Sequence, residues 1–221
     1  MERTDPMDRP AVSALAPRPR VMTRLPGLAL AAVLVCAFGV LTGDVWAGEG
    51  FALDRVVMGA LHGLASPWLT AAMRVVTASA SGLVTGGLAL GLGLRWWRQV
   101  RQRAEAVTLL VTLAGSAGLG QGLKLLFARP RPQLFPWLTA ARGWSFPSGH
   151  TLTATVLGGL LAWLMGQRLS GWRQVALWVG AGLWVVLVGL SRVYLGVHYP
   201  SDVLASLAVG GLCLLVALYV S

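Results

Sequence analysis

The sequence is poor in charged residues. Asp, Glu, Lys and Arg make up 12% of the 221 residues, 56% are hydrophobic, and the mean hydropathy is +0.68. Soluble domains are usually about a quarter charged, so this composition excludes an ordinary soluble domain and indicates a membrane protein. Acidic residues are scarcest, with 8 against 18 basic ones. A basic balance can indicate nucleic-acid binding, but these cations flank apolar runs and form no stripe, so no nucleic-acid partner is expected.

Cysteine is also scarce. Cys36 and Cys213 lie in different apolar runs, which excludes a disulfide framework and a cysteine metal site. They are predicted to be packing residues. Gly115–Lys124 is rich in glycine, but Leu123 precedes the lysine and no Ser or Thr follows it, which excludes a phosphate loop of the nucleotide-binding type.

The apolar runs predict an all-α, polytopic membrane protein. Residues 1–24 contain four prolines without an apolar period and are predicted to be a disordered cytoplasmic tail. Residues 25–221 are predicted to form one domain of six transmembrane helices. The predicted spans are Leu25–Thr42, Val75–Leu94, Ala106–Leu123, Thr151–Gly166, Val175–Leu190 and Val203–Val220.

Three details of this architecture are predicted from local patterns. Phe51–Leu69 carries Asp54, Arg55 and His62 on one helical face, which predicts an interfacial helix between the first and second spans, with His62 in contact with water. The first span also resembles a signal peptide, so cleavage after Ala47 is an alternative. Glycine pairs four residues apart predict close helix packing: Gly82 with Gly86, and Gly118 with Gly122.

The basic residues predict the orientation of the chain. Eleven arginines fall in the tail and in two connections, between the second and third spans and between the fourth and fifth. They are Arg3, Arg9, Arg18, Arg20, Arg24, Arg95, Arg98, Arg101, Arg103, Arg168 and Arg173. Cytoplasmic loops carry the excess of arginine and lysine. The other ends of the spans are therefore predicted to face outward.

The outward-facing segments contain most of the candidate chemistry. Lys124, the single lysine, and Arg131 follow the third span, and Pro147-Ser148-Gly149-His150 opens the fourth. Cations beside a membrane span are costly and are functional candidates by default. The start of a helix, here at Ser148 and Gly149, is an anion site.

A third outward segment contains a second histidine. Ser191-Arg192 is followed by His198 and then by Asp202, with Pro200 suited to the first turn of the last span. A carboxylate orients an imidazole and stabilises its cation, so His198 and Asp202 form a plausible activated nucleophile. A pair that only caps the helix is the alternative. Two histidines, one carboxylate and several fixed cations are the parts that phosphoryl transfer needs.

These residues resemble the type 2 phosphatidic acid phosphatases, which share their site with vanadium-dependent haloperoxidases. Three motif blocks match in order: Lys124 with Arg131-Pro132, Pro147–His150, and Ser191-Arg192 with His198 and Asp202. The likeness covers about residues 25–221 and resembles the integral-membrane branch. It implies a six-span lipid phosphatase.

The resemblance also implies a role for each motif residue. His198 would attack phosphorus and form a phosphohistidine, Asp202 would orient it, and His150 would protonate the leaving oxygen and later deprotonate water. The phosphate oxygens would be bound by Lys124, Arg131, Ser148, Gly149 and Arg192. The family reaction needs no metal or other cofactor, which agrees with Asp202 as the only acid near the motifs. Arg129 lies outside the motif and is predicted to be a surface charge.

The predicted function is hydrolysis of a lipid phosphate or diphosphate at the outer face of a bacterial inner membrane. Undecaprenyl diphosphate, phosphatidylglycerophosphate and phosphatidic acid are the candidate substrates, and the bilayer and the lipid are the expected partners. The sequence predicts no oligomeric state. Two alternatives are a haloperoxidase-like enzyme, which would share every motif residue, and an anion or lipid transporter, which would usually show an internal repeat with broken helices.

Overall fold

The computed structural model describes residues 24–47 and 52–220, and every regular element in these ranges is helical. The predicted tail therefore lies outside the described residues, except for the backbone of Arg24. The elements are α1 (Arg24–Trp46), α2 (Ala52–His62), α3 (Pro67–Ser79), α4 (Gly82–Trp97), a 3-10 turn (Val100–Gln102), α5 (Arg103–Phe127), α6 (Gly149–Gly166), α7 (Trp172–Tyr194) and α8 (Pro200–Val220).

Helix α6 is the centre of the bundle. It packs against α5, α7 and α8, and α1 packs against α8 on the outside. Leu152, Val156, Leu157 and Leu160 of α6 are all at most 2% exposed and form the core with residues of α4, α5 and α8. Since α6 is surrounded by protein, its first turns can carry polar residues without contact with lipid.

The outer helices expose apolar side chains. On α7, Val175, Val179, Leu183, Val186 and Leu190 are exposed at helical spacing. An apolar stripe of this kind is disfavoured in water but suits lipid. The helical fold and these surfaces confirm the predicted class of all-α membrane protein.

Four described helical segments are long and apolar enough to cross a membrane. They are Leu25–Gly43, Val100–Phe127, Trp172–Tyr194 and Pro200–Val220. Helices α3 and α4 make a fifth if their pair is taken as one broken span. Helix α6, with 18 residues, is not in this set. The six-span count stays a prediction.

Two local predictions need correction. The predicted span Val75–Leu94 is not one continuous helix, because α3 ends at Ser79, α4 begins at Gly82 and the two are bent by 41°. Ser81 caps α4, its side chain accepting from the backbone N–H of Val84. The predicted interfacial helix Phe51–Leu69 is also too long, since α2 ends at His62. Phe51 itself lies outside the described residues.

The predicted close-packing glycines are wrong. A Cβ at Gly82, Gly86, Gly118 or Gly122 would meet nothing within 4 Å. The close approaches lie at other glycines. A Cβ at Gly159 would clash with Leu214 Cδ1, one at Gly210 would be 2.8 Å from Thr155, and one at Gly189 would be 2.8 Å from Val203. Helix α8 therefore packs tightly on α6 and α7, and this packing fixes the position of its first turn.

Candidate active site

Six of the eight predicted site residues line one cavity of about 530 Å³ at one end of the bundle. They are Lys124, Arg131, Gly149, His150, Arg192 and His198. They come from α5, the loop after it, the start of α6, the end of α7 and the turn before α8. The structure therefore brings all three motif blocks together.

The other two predicted residues lie behind the cavity and are fully buried. Asp202 is in the first turn of α8, next to His198. Ser148 precedes α6, and its backbone N–H donates to the Asp202 carbonyl oxygen at 3.3 Å, while its hydroxyl accepts from Thr151 at 3.0 Å. The prediction that Ser148 binds phosphate stays a prediction, because in this structure its polar groups contact other parts of the protein.

The hydrogen bonds of His198 determine which ring nitrogen carries the proton. Its Nε2 is 3.2 Å from Nη1 of Arg131, and its Nδ1 is 3.3 Å from Oδ2 of Asp202. Arginine has no acceptor, so Nε2 accepts and carries the lone pair. The ring proton is then on Nδ1, from which it donates to the carboxylate. This is the tautomer that a nucleophilic Nε2 requires.

The His198 ring is also held in its neutral form. The side chain is 2% exposed, and burial lowers the pKa of His198 to about 3, against the opposing effect of Asp202 and with a further decrease from Arg192 and Arg131. A neutral ring whose Nε2 carries no proton is a competent nucleophile at ordinary pH.

Arg131 is fixed by backbone carbonyls. Its Nε donates to Gly143 at 2.9 Å, Nη1 to Val197 at 2.7 Å and Nη2 to Arg142 at 2.8 Å. Lys124 is held in the same way, with Nζ donating to the carbonyl of Trp144 at 2.7 Å. Burial lowers the pKa of Arg131, and Asp202 opposes the decrease, but a guanidinium stays charged in proteins. Both cations are therefore aimed into the cavity by the loop that covers it.

Arg192 is held by a side chain of α3 and not by backbone carbonyls of the loop. It is 4% exposed, and its Nη1 donates to the hydroxyl of Thr77 on α3 at 2.8 Å. Its Nε has no hydrogen-bond partner in the protein. An unsatisfied buried N–H is costly, and an anion in the cavity that Arg192 lines would satisfy it.

The turn before His198 depends on a glycine. Gly196 has φ +77°, and a Cβ there would be 2.9 Å from the Phe135 ring. The backbone N–H of Leu138 donates to Leu195 at 3.0 Å, which joins the same loop to this turn. The turn and the covering loop thus support each other.

Two residues of this region were misjudged from the sequence. Arg129 is 8% exposed, so the predicted surface charge is wrong; it pairs with Asp202 at 2.6 Å and with Asp54 at 3.1 Å. Asp54 is 2% exposed and belongs to the site region, so Asp202 is not its only acid. His62, which was predicted to be in contact with water, is partly exposed, and its ring stacks on that of Phe135 with the two ring centres 3.8 Å apart. The rule that cations beside membrane spans are functional candidates would have identified Arg129 as a residue of the site.

Together, the helical membrane-type fold and a cavity lined by two histidines and four Lys and Arg residues define a class: a membrane enzyme of phosphoryl transfer. Among the described residues, no group of three or more His, Cys, Asp and Glu side chains is placed to hold a metal ion.

Comparison with known proteins gives the family. A family model described as the PAP2 superfamily matches residues 105–221, which include all three motif blocks. Phosphatidylglycerophosphatase B of Bacillus subtilis is 30% identical over 161 residues, 71% of this chain and 77% of the relative. A putative undecaprenyl-diphosphatase of Escherichia coli is 31% identical over 151 residues, 66% of this chain and 70% of the relative.

A solved structure has the same fold. The crystal structure described as the first transmembrane PAP2 type phosphatidylglycerolphosphate phosphatase, from Bacillus subtilis, matches with a TM-score of 0.76 and 26% identity, over 86% of this chain and 94% of that chain. The chain belongs to the PAP2 superfamily. It is a membrane lipid phosphatase, as the sequence predicted, and the haloperoxidase and transporter alternatives are not favoured.

Proposed function

We propose that the chain removes a phosphate from a lipid through a covalent intermediate on His198. The observation that carries this proposal is the pair of contacts that His198 makes: Nδ1 lies 3.3 Å from Oδ2 of Asp202, and Nε2 lies 3.2 Å from Nη1 of Arg131. In the first step Nε2 attacks phosphorus while the bond to the lipid oxygen breaks. Asp202 stabilises the imidazolium that forms.

His150 is the proposed proton donor. It lines the same cavity as His198, at the start of α6. It gives a proton to the departing lipid oxygen, and in the second step it takes a proton from water. The resulting hydroxide attacks the phosphorus of the phosphohistidine, the P–N bond breaks, and inorganic phosphate leaves.

The cations form the proposed phosphate site. Lys124, Arg131 and Arg192 surround the cavity from three elements, and Gly149 is the first residue of α6. A phosphate monoester carries about −1.5 to −2 charge at pH 7, which three cations can neutralise. Preorganised donors of this kind stabilise the charge that develops in the transition state.

The relatives suggest the substrates. Their names specify phosphatidylglycerophosphate and undecaprenyl diphosphate, and both are candidate substrates here, with phosphatidic acid as a third. Leu125 and Trp144 line the cavity, and both are exposed. Exposed apolar groups in the cavity lining suit a substrate whose lipid tail stays in the bilayer.

The proposed setting is a bacterial inner membrane with the site on its outer face. The domain of residues 25–221 would cross six times, with α6 and the broken α3–α4 pair counted as spans and α2 as the interfacial helix. The tail of residues 1–24 would be cytoplasmic. The cations of the 95–103 and 168–173 connections support this orientation.

Phosphate release from purified protein tests the proposal. We expect the wild type to hydrolyse at least one of the three lipids, with activity retained in EDTA, and we expect His198→Ala to hydrolyse none. Orthovanadate, a mimic of pentacovalent phosphorus, should inhibit. Loss of activity in EDTA with recovery on adding a divalent ion would contradict the mechanism, as would full turnover by His198→Ala.

A further inference from the structure

The carboxylate of Asp202 has contacts on two sides. Its Oδ2 accepts from the backbone N–H of Tyr199 at 2.9 Å and faces Nδ1 of His198. Its Oδ1 accepts from Nη1 of Arg129 at 2.6 Å. The position of the carboxylate, and so of the His198 ring, therefore depends on Arg129, which does not line the cavity.

Arg129 is in turn held by groups from two helices. Its Nη2 donates to Oδ2 of Asp54 at 3.1 Å, and its Nη1 also donates to the Ser201 hydroxyl at 2.8 Å. Its guanidinium carbon lies 3.9 Å from the centre of the Tyr199 ring. A buried guanidinium with two carboxylates and an aromatic face is fixed in place.

Asp54 closes the network from α2. Its Oδ1 accepts from the backbone N–H of Ser201 at 2.9 Å and its Oδ2 from the Ser201 hydroxyl at 2.6 Å. Ser201 is the second residue of α8, where backbone N–H groups have no partner within the helix. A carboxylate at a helix N-terminus is also favoured by the helix dipole. Asp54 thus binds both the turn that carries Asp202 and the cation that touches it.

We propose that Asp54 and Arg129 are positioning residues for the reaction: they hold Asp202, and through it the His198 ring, in line for attack. The charges support this. With Asp54 present, Arg129 is shared between two carboxylates and the trio keeps one net negative charge beside His198. Without Asp54, Arg129 would neutralise Asp202 alone and weaken its support of the imidazolium. The inference rests on the proposed roles of His198 and Asp202.

A merely structural role for Asp54, joining α2 to α8, predicts a different outcome. It would lower the amount or thermal stability of folded protein but leave the turnover of each folded molecule intact. If it lowered turnover by a general distortion, the loss would be independent of Asp202. If Asp54 has a positioning role, it acts through Asp202. Its mutation should then have little effect on turnover once the Asp202 carboxylate has been removed.

The test is a double-mutant cycle on the full-length protein in detergent, with Asp54→Asn and Asp202→Asn. Asn keeps the size of the side chain and removes its charge. In the wild-type background, Asp54→Asn should lower kcat about 10–100-fold, the range that is usual for outer partners of metal-binding histidines, with KM changed less than about 2-fold. In the Asp202→Asn background the same change should cost less than about 3-fold, because groups that act as a unit are not additive.

Glu105→Gln is the matched control. It also exchanges a carboxylate for an amide and breaks an ion pair, to Arg168 at 3.7 Å, but Glu105 lies near the opposite end of α5. Lys124 lies nineteen positions further along this helix, which is about 28 Å. It should keep wild-type kcat and KM.

The same measurements can contradict the positioning role of Asp54 without contradicting the proposed mechanism of His198. If Asp54→Asn costs the same factor in both backgrounds, or costs nothing in the wild type, the positioning role is overturned while the nucleophile assignment stands. If Asp202→Asn and His198→Ala retain full turnover, the proposed mechanism itself fails. Should Asp54→Asn not fold, Arg129→Lys takes its place with the same criteria, since one ammonium cannot reach both carboxylates as the guanidinium fork does.

Discussion

His198 and His150 line the same cavity but have different surroundings. His198 is buried between Asp202 and Arg131, whereas His150 stands at the start of α6 and is partly exposed. These surroundings suit the proposed roles, which are a fixed nucleophile for His198 and a donor and acceptor of protons for the more accessible His150.

This difference predicts different losses on mutation. His198→Ala should remove almost all turnover, because it deletes the nitrogen that is proposed to attack phosphorus and to carry the phosphoryl group. His150→Ala should cost about 10²–10⁴-fold, the usual effect of losing a positioned acid, and a substrate with a less basic leaving group should recover part of that loss. The measurement is steady-state phosphate release with both kinds of substrate. Equal recovery in the two mutants would contradict the separate roles.

The low pKa of His198 can be measured directly. A pKa of about 3, lowered chiefly by burial, means that the ring has already given up its proton at pH 5, where an ordinary histidine near 6.5 is mostly charged. The chain has 3 histidines, so nitrogen NMR of histidine-labelled protein in detergent gives few signals. The one that is missing in His198→Asn should stay neutral from pH 8 to pH 5. Titration of that signal near 6.5 would refute the prediction.

At the scale of elements, the sequence was most informative where residues are close along the chain. The three motif blocks gave the cavity cations and both histidines, and Pro200 marked the start of α8. Asp54 was missed because its partner Ser201 is 147 positions away, and no local pattern connects them. The packing glycines were missed because spacing shows which residues share a face but not which face meets a neighbouring helix.

Those glycines give a prediction on stability. Gly210→Ala would place a Cβ 2.8 Å from Cβ of Thr155, an atom that cannot move without its helix, so α6 and α8 must separate. Overpacking of this kind costs about 1–3 kcal/mol. Gly118→Ala is the control, because its Cβ would meet nothing within 4 Å and alanine favours a helix. Thermal unfolding in detergent should give Gly210→Ala a Tm several degrees below that of Gly118→Ala, and equal values would argue against tight packing there.

At the scale of the whole molecule, the candidate site and the Arg168–Glu105 ion pair lie at opposite ends of the described helices. The cavity and its loop lie at one end, and at the other the ion pair of Arg168 with Glu105 brings together the start of α5 and the connection after α6. The arginine-rich connections are therefore on the side opposite the site, as positive-inside orientation requires if the site faces outward.

Single cysteines test this orientation. Gln133 is exposed on the loop over the cavity, and Gln99 and Gln167 are exposed at the other end. In a background without Cys36 and Cys213, an impermeant thiol reagent on intact cells should label a cysteine at position 133 only, and all three should react after the membrane is permeabilised. Labelling at 99 or 167 in intact cells would place the site in the cytoplasm.

The way in which the loop holds its cations has a consequence for how such enzymes can diversify. Arg131 and Lys124 donate to the backbone carbonyls of Arg142, Gly143, Trp144 and Val197 and to none of their side chains. A carbonyl is present whatever the residue, so the side chains at positions 142 and 144, which also line the cavity, can be exchanged without releasing these two cations. We therefore expect these two positions to be suitable targets for redesigning substrate choice while the proposed phosphate site is kept.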